Sequence, residues 1–159
     1  MTRIALVQMT SGIDPEENAA TLVHAVAEAA SGGATMLFTP EMSGLLDRDR
    51  ERAFGHVVSE EENPVLAAVR SAAAAKGVWV ALGSLAIARE DRRWANRSFL
   101  IAPGGGIVAR YDKIHMFDVE LASGETWRES AAYVPGEAIV TAQTPVGRLG
   151  LAVCYDVRF

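Results

Sequence analysis

Two apolar runs, each leading to a helix start marked by a capping residue and a proline, constrain this chain most. Ile4 to Met9 reads as a first buried strand, and Asp14-Pro15-Glu16-Glu17 follows it. There an aspartate caps the helix, proline takes its first position and glutamate stands three after the cap. Leu22, Val23, Val26 and Ala30 recur at helical spacing, and Gly32-Gly33 ends the helix. Thr35 to Thr39 is the next strand, closing at Pro40-Glu41, and MSGLLDRDRER is a loop feeding a short helix. Asn63-Pro64 repeats the cap-then-proline signal, with Val65, Leu66, Val69 and Ala73 on one face and Gly77 as the stop.

After Gly77 the period changes from helical to alternating. Val78 to Leu85 and Arg97 to Ala102 are strand-like on either side of the charged turn EDRR. Pro103-Gly104-Gly105-Gly106 then turns the chain into Ile107 to Tyr111, a meander that requires antiparallel pairing. From Asp112 to Pro135 the periodicity is lost, but Phe117, Trp127 and Tyr133 argue for an ordered, functional stretch. Ile139 to Ala142, the turn Thr144-Pro145-Val146-Gly147 and an apolar strand from Leu149 to Val153 complete the chain. Strand–helix–strand–helix followed by strands defines an α/β domain, and 159 residues suffice for one core, spanning residues 1–159.

Composition excludes several classes of function. A net charge of −5 leaves no basic surplus for nucleic acid. No stretch has the length and apolarity of a membrane span or a signal peptide. One cysteine forms no intrachain disulfide, and a reducing cytoplasm is the expected home. His24, His56 and His115 are scattered without ligand spacing, so no metal site is expected. The glycine run 104–106 joins two strands and lacks the lysine and helix of a phosphate loop.

The chemistry-bearing candidates stand at element edges. Cys154 lies where the last apolar run meets Tyr155, Asp156 and Arg158. A strand that stops there, with a sharp turn after it, presents the thiol and aims the Tyr155 N–H at whatever the thiol attacks; the plain alternative is a small core residue. Glu41, just beyond a strand, fits a base for that thiol or an exposed loop carboxylate. Lys113, in Tyr-Asp-Lys-Ile-His, fits an oxyanion partner or a solvated lysine. Glu129 fits a group that holds the lysine or orients a substrate amide, or a loop carboxylate paired with Arg128. His115 could cap, pack or bind. As a set, a thiol, a base, a cation and a backbone N–H suit covalent acyl transfer from an amide.

TPEM at 39–42, RYDKIHMFD at 110–118, ES at 129–130 with Tyr133-Val134-Pro135-Gly136, and CYDVRF at 154–159 resemble the nitrilase superfamily of carbon–nitrogen hydrolases. The resemblance runs from Ile4 to Phe159. It implies an αββα sandwich with Glu41 as general base, Lys113 as the lysine, Glu129 as second glutamate and Cys154 as nucleophile. It calls for no metal or organic cofactor, and it implies a homodimer at full length. DKIHMFD and GETWRES are similar to the amidase branch, which includes omega-amidases and amidases of deaminated glutathione. The implied substrate is therefore a small amide carrying a carboxylate, with nitriles or carbamoyl compounds as alternatives.

The family's domain continues past the nucleophile strand, whereas this chain stops five residues after Cys154. The expectation is a domain incomplete at its C-terminus, with a sizeable exposed apolar patch. Two functional classes are open: an amide hydrolase judged by its encoded residues, or a catalytically silent module that uses its exposed face.

Overall fold

A computed structural model describes residues 2–159. Five strands, β1 (Ile4–Leu6), β2 (Met36–Phe38), β3 (Trp79–Ala88), β4 (Trp94–Ile101) and β5 (Ile107–Asp112), form one mixed sheet. Their spatial order is their chain order, with β1, β2 and β3 parallel and β3, β4 and β5 antiparallel. The parallel steps need crossovers, which α1 (Pro15–Ser31) and α3 (Pro64–Lys76) provide. Between β2 and α3 lies the short α2 (Arg50–Phe54). The α/β class read from the sequence is the class observed.

Both long helices begin where the sequence places them. The Asp14 side chain accepts from the N–H groups of Glu16 and Glu17, and Asn63 accepts from Leu66 at 3.0 Å. These bonds satisfy donors that a helix start leaves unpaired. α3 ends at Gly77, whose φ of 66° suits a residue without a Cβ. The two helices cover one sheet face, where Leu22, Val26, Leu66 and Val69 meet Val80, Leu82, Leu85, Ile87, Phe99 and Ile101. Burying each such large side chain contributes about 1.5–3 kcal/mol. On the opposite face Met36, Ala81 and Leu100 pack with Ala142 and Leu149. These last two belong to a hairpin of β8 (Thr141–Thr144) and β9 (Gly147–Gly150).

Several expectations are corrected. β1 is an edge strand with Leu6 76% exposed, since only β2 pairs with it. On α1, Ala25 and Ala29 complete the buried stripe begun by Leu22 and Val26, and Val23 is turned outward. Positions 22, 25, 26 and 29 share one helical face, from which 23 is rotated by about 100°. The stretch after β5 holds a small hairpin, β6 (Asp118–Glu120) with β7 (Thr126–Arg128), and then a single 3-10 turn over Glu129–Ala131. The strand expected from Leu149 to Val153 is divided. β9 ends at Gly150, and the Leu151 N–H bonds the Val140 carbonyl at 3.0 Å. Among the described residues no strand lies alongside 151–153 to continue a ladder.

The register of β3 shapes the end of the sheet. Its pairing with β4 shifts between Leu82 and Leu85, so Val80 and Leu82 before the shift and Leu85 and Ile87 after it all face the helices. Such a bulge inserts residues without reversing the buried face. The residues it displaces are Gly83 and Ser84.

Candidate active site

Glu41 owes its position to that bulge. β2 ends against Gly83 so closely that a Cβ there would collide with the Thr39 and Pro40 carbonyl oxygens. The Gly83 N–H donates to Thr39 Oγ1 at 2.9 Å. Ser84 takes the next turn: its Oγ accepts from the Met42 N–H and its carbonyl from the Ser43 N–H, both at 3.0 Å. Met42 sits at φ 52°, a left-handed conformation that costs a residue with a Cβ about 1 kcal/mol. The tight, anchored turn projects Glu41 over the end of the sheet.

Lys113 continues the β4–β5 ladder one step past the end of β5, its N–H donating to the Asn96 carbonyl at 2.9 Å. Its carbonyl accepts from Gly136 at 2.8 Å, a contact only glycine permits, because a Cβ at 136 would strike the Asp112 carbonyl. The Lys113 side chain is 2% exposed. Its Nζ lies 2.8 Å from Glu129 Oε2 and 3.4 Å from Glu41 Oε1. Burial pulls the ammonium down, and the two carboxylates more than offset it, holding Lys113 above the ordinary lysine value. It is a buried cation between two acids.

Glu129 opens the 3-10 turn after β7. Its Oε2 also accepts from the Phe117 N–H at 2.7 Å, so the β6–β7 hairpin and the lysine fix it together. The alternative pairing with Arg128 is not found; Arg128 reaches Glu120 at 2.9 Å instead. Asn96, which sequence reasoning missed, donates from Nδ2 to Glu41 Oε1 at 2.7 Å and to Glu129 Oε1 at 3.3 Å. A lone amide in an apolar strand beside Arg97 and Ser98 carries no pattern that marks it.

Cys154 follows extended Val153 and has φ 49°, beginning a 3-10 turn over Cys154–Arg158. The sharp turn anticipated at this residue is present, although the strand before it is not. Although Cys154 is exposed, partial desolvation pushes its thiol above the ordinary value, and the nearby Glu41 carboxylate pushes it further. Lys113 pulls it partly back. The net upward direction favours the neutral thiol over the thiolate at rest. Tyr155 sets its ring edge-on to Phe117 at 5.2 Å and to Phe159 at 5.5 Å.

Asp156 secures the turn. Its carboxylate accepts from the Tyr111 hydroxyl at 2.7 Å and from the N–H groups of Val153 and His115, both at 2.9 Å. Although burial raises its pKa, these donors hold Asp156 below the ordinary carboxylate value. His115 both hydrogen-bonds and packs here: Nδ1 lies 2.8 Å from Asp156 Oδ1 and the ring stacks on Phe159 at 3.9 Å. Glu41, Lys113, Glu129 and Cys154, spread over 114 positions of sequence, therefore share one site. Among the described residues no group of three or more His, Cys, Asp or Glu is placed to hold a metal ion. None of their helices is long and apolar enough to cross a membrane.

A buried lysine between two carboxylates, next to a thiol on a sharp turn, is found at the end of a sheet whose other face carries helices. Residues 3–159 match the model of the carbon–nitrogen hydrolase family, and the chain belongs to that family. A deaminated glutathione amidase of Yersinia enterocolitica is 39% identical over 159 residues, covering 98% of this chain and 55% of the relative. The NitFhit protein of C. elegans superposes with a TM-score of 0.88 at 28% identity, over 100% of this chain and 40% of that one. A variant amidase from Nesterenkonia sp. AN1 superposes with a TM-score of 0.83 at 28% identity, covering 100% of this chain and 59% of that one. In that structure acrylamide has undergone Michael addition at the active-site cysteine. The chain spans about half the length of the curated relatives it matches.

Proposed function

We propose that this chain carries the chemistry of an amidase acting on a small carboxylate-bearing amide, with Cys154 as nucleophile. The observation that carries the reading is Lys113, 2% exposed and held between Glu41 and Glu129 at the Cys154 turn. A buried ammonium beside a thiol is suited to the negative charge that appears when a thiol attacks a carbonyl. Resemblance to relatives named deaminated glutathione amidase supports the substrate class.

Glu41 takes the thiol proton as sulfur bonds the amide carbon, and the carbonyl oxygen becomes an oxyanion facing Lys113 and the Tyr155 N–H. Collapse of that intermediate breaks the C–N bond. Glu41 returns the proton to the departing nitrogen, so ammonia leaves and a thioester remains. Water then gives a proton to Glu41 and attacks the thioester; as the C–S bond breaks and the acid leaves, Glu41 passes that proton to the sulfur and the thiol is restored. Glu129 holds Lys113 in place during both halves. The sum is amide plus water giving acid plus ammonia.

The test measures ammonia release from a panel of small carboxylate-bearing amides, using the 159-residue chain and any longer product of its reading frame. Cys154→Ala serves as control. Turnover that disappears in Cys154→Ala supports the reading. A folded protein that releases ammonia from none of them sinks the substrate class, and turnover that survives Cys154→Ala sinks the mechanism.

A further inference from the structure

Asn96 contacts every charged member of the resting site. Its main-chain carbonyl accepts the Lys113 N–H at 2.9 Å, and its Nδ2 donates to one oxygen of each glutamate, at 2.7 and 3.3 Å. The residue is 1% exposed, and its Oδ1 has no hydrogen-bond partner. A buried amide normally satisfies both ends. Here charge dictates the orientation: turned the other way, the amide oxygen would face two carboxylates, which offer no donor when ionised. Unlike a side chain that merely fills space, Asn96 leaves an acceptor unsatisfied to keep its donor on the acids.

The two acids are held differently. Glu129 has both oxygens engaged, Oε1 by Asn96 and Oε2 by Lys113 and the Phe117 N–H. Glu41 has a single engaged oxygen, Oε1, shared by Asn96 and Lys113. Its Oε2 has no hydrogen-bond partner among the described protein groups. The Lys113–Glu41 contact is the long one at 3.4 Å, so the short bond from Asn96 is the principal restraint on this carboxylate.

We infer that Asn96 is a positioning residue that pins Oε1 of Glu41 and thereby leaves Oε2 free for proton transfer with the thiol and the leaving nitrogen. This rests on the reading of Glu41 as the base. It also distinguishes two glutamates that sit on the same lysine: Glu129 is clamped at both oxygens and serves as support, whereas Glu41 is clamped at one and can work.

A double-mutant cycle in the whole protein tests it. Asn96→Leu keeps the volume and removes the donor, and Glu41→Gln removes the acid through which Asn96 is argued to act. Two rates are read, kcat and KM for ammonia release and the alkylation of Cys154 by iodoacetate, which holds no amide to hydrolyse. In alkylation the sulfur bonds the methylene carbon as iodide leaves, and the thiol proton passes through Glu41 to water, so no further reactant is needed. Asn96→Leu should lower kcat on the order of 100-fold with KM within about threefold, and slow alkylation in parallel. In the Glu41→Gln background the same change should cost less than about threefold.

An equal loss in both backgrounds, or kcat and alkylation of Asn96→Leu within about threefold of wild type, overturns the inference. If Asn96→Leu does not fold, the near-isosteric Asn96→Asp replaces it. Failure of both to fold also overturns the inference, because stability alone then accounts for the residue. Alkylation reads the Glu41–Cys154 pair without turnover, so a protein that hydrolyses no amide refutes the amidase reading while the cycle still reports on Asn96.

Discussion

Replacing Lys113 with methionine preserves most of the side-chain volume and removes the charge that separates Glu41 from Glu129. Both carboxylates lie within 3.4 Å of the ammonium in the wild type and would then face each other without it. Removing one partner from a buried ion pair costs about 3–5 kcal/mol. Because the Glu41 side chain is 32% exposed, water relieves part of the loss and the lower end, about 3 kcal/mol, applies. For a chain of this size each kcal/mol lowers Tm by about 2–4 °C, so Lys113→Met should melt roughly 6–12 °C below wild type. Adding Glu129→Gln should recover about half of that, since removing both ends of a buried pair is cheaper than removing one. Thermal unfolding followed by circular dichroism measures both. A single variant within about 2 °C of wild type, or a double variant less stable than the single, would refute the reasoning.

Two further outcomes are expected. Gly83→Ala should push the Thr39–Pro40 strand end away from β3 and displace Glu41, lowering kcat/KM on the order of 100-fold; a rate within about threefold of wild type would contradict the role given to the bulge. Asp156 has a folded pKa below its unfolded value, so its contribution to stability is present above the unfolded value and is lost as pH falls through the folded one. The stability gap between wild type and Asp156→Asn, measured by urea denaturation, should be constant above about pH 5 and narrow below about pH 4. A gap that widens on acidification would count against it.

The parts of this fold that depend on neighbours in sequence were legible, and the parts that depend on neighbours in space were not. Asp14, Asn63 and Gly77 act on N–H and C=O groups within a turn of themselves, so both long helices could be read at their ends. The bulge at Gly83–Ser84 answers to β2 and β4, which no local pattern in β3 reveals. The three-residue strands β6 and β7 are too short to set up a period. In the site, Cys154, Glu41, Lys113 and Glu129 could be named because they border apolar runs or match family motifs. Asn96 could not, because its importance lies in two carboxylates 55 and 33 positions away. For Glu129 the sequence offered two cations, the lysine at 113 and the adjacent Arg128, and only the fold decides between them, in favour of the one 16 positions upstream.

The site also has an order in time. Glu41, Asn96, Lys113 and Glu129 all precede Cys154 along the chain, and their mutual bonds require nothing from the Cys154 turn. Synthesis runs from the N-terminus, so the acid–lysine cradle is complete in sequence before Cys154 is added. The Cys154 turn then docks by placing Asp156 on the Tyr111 hydroxyl and the His115 N–H, both made earlier. A nascent chain laid out this way holds every residue of the carboxylate–lysine cradle before it holds the sulfur.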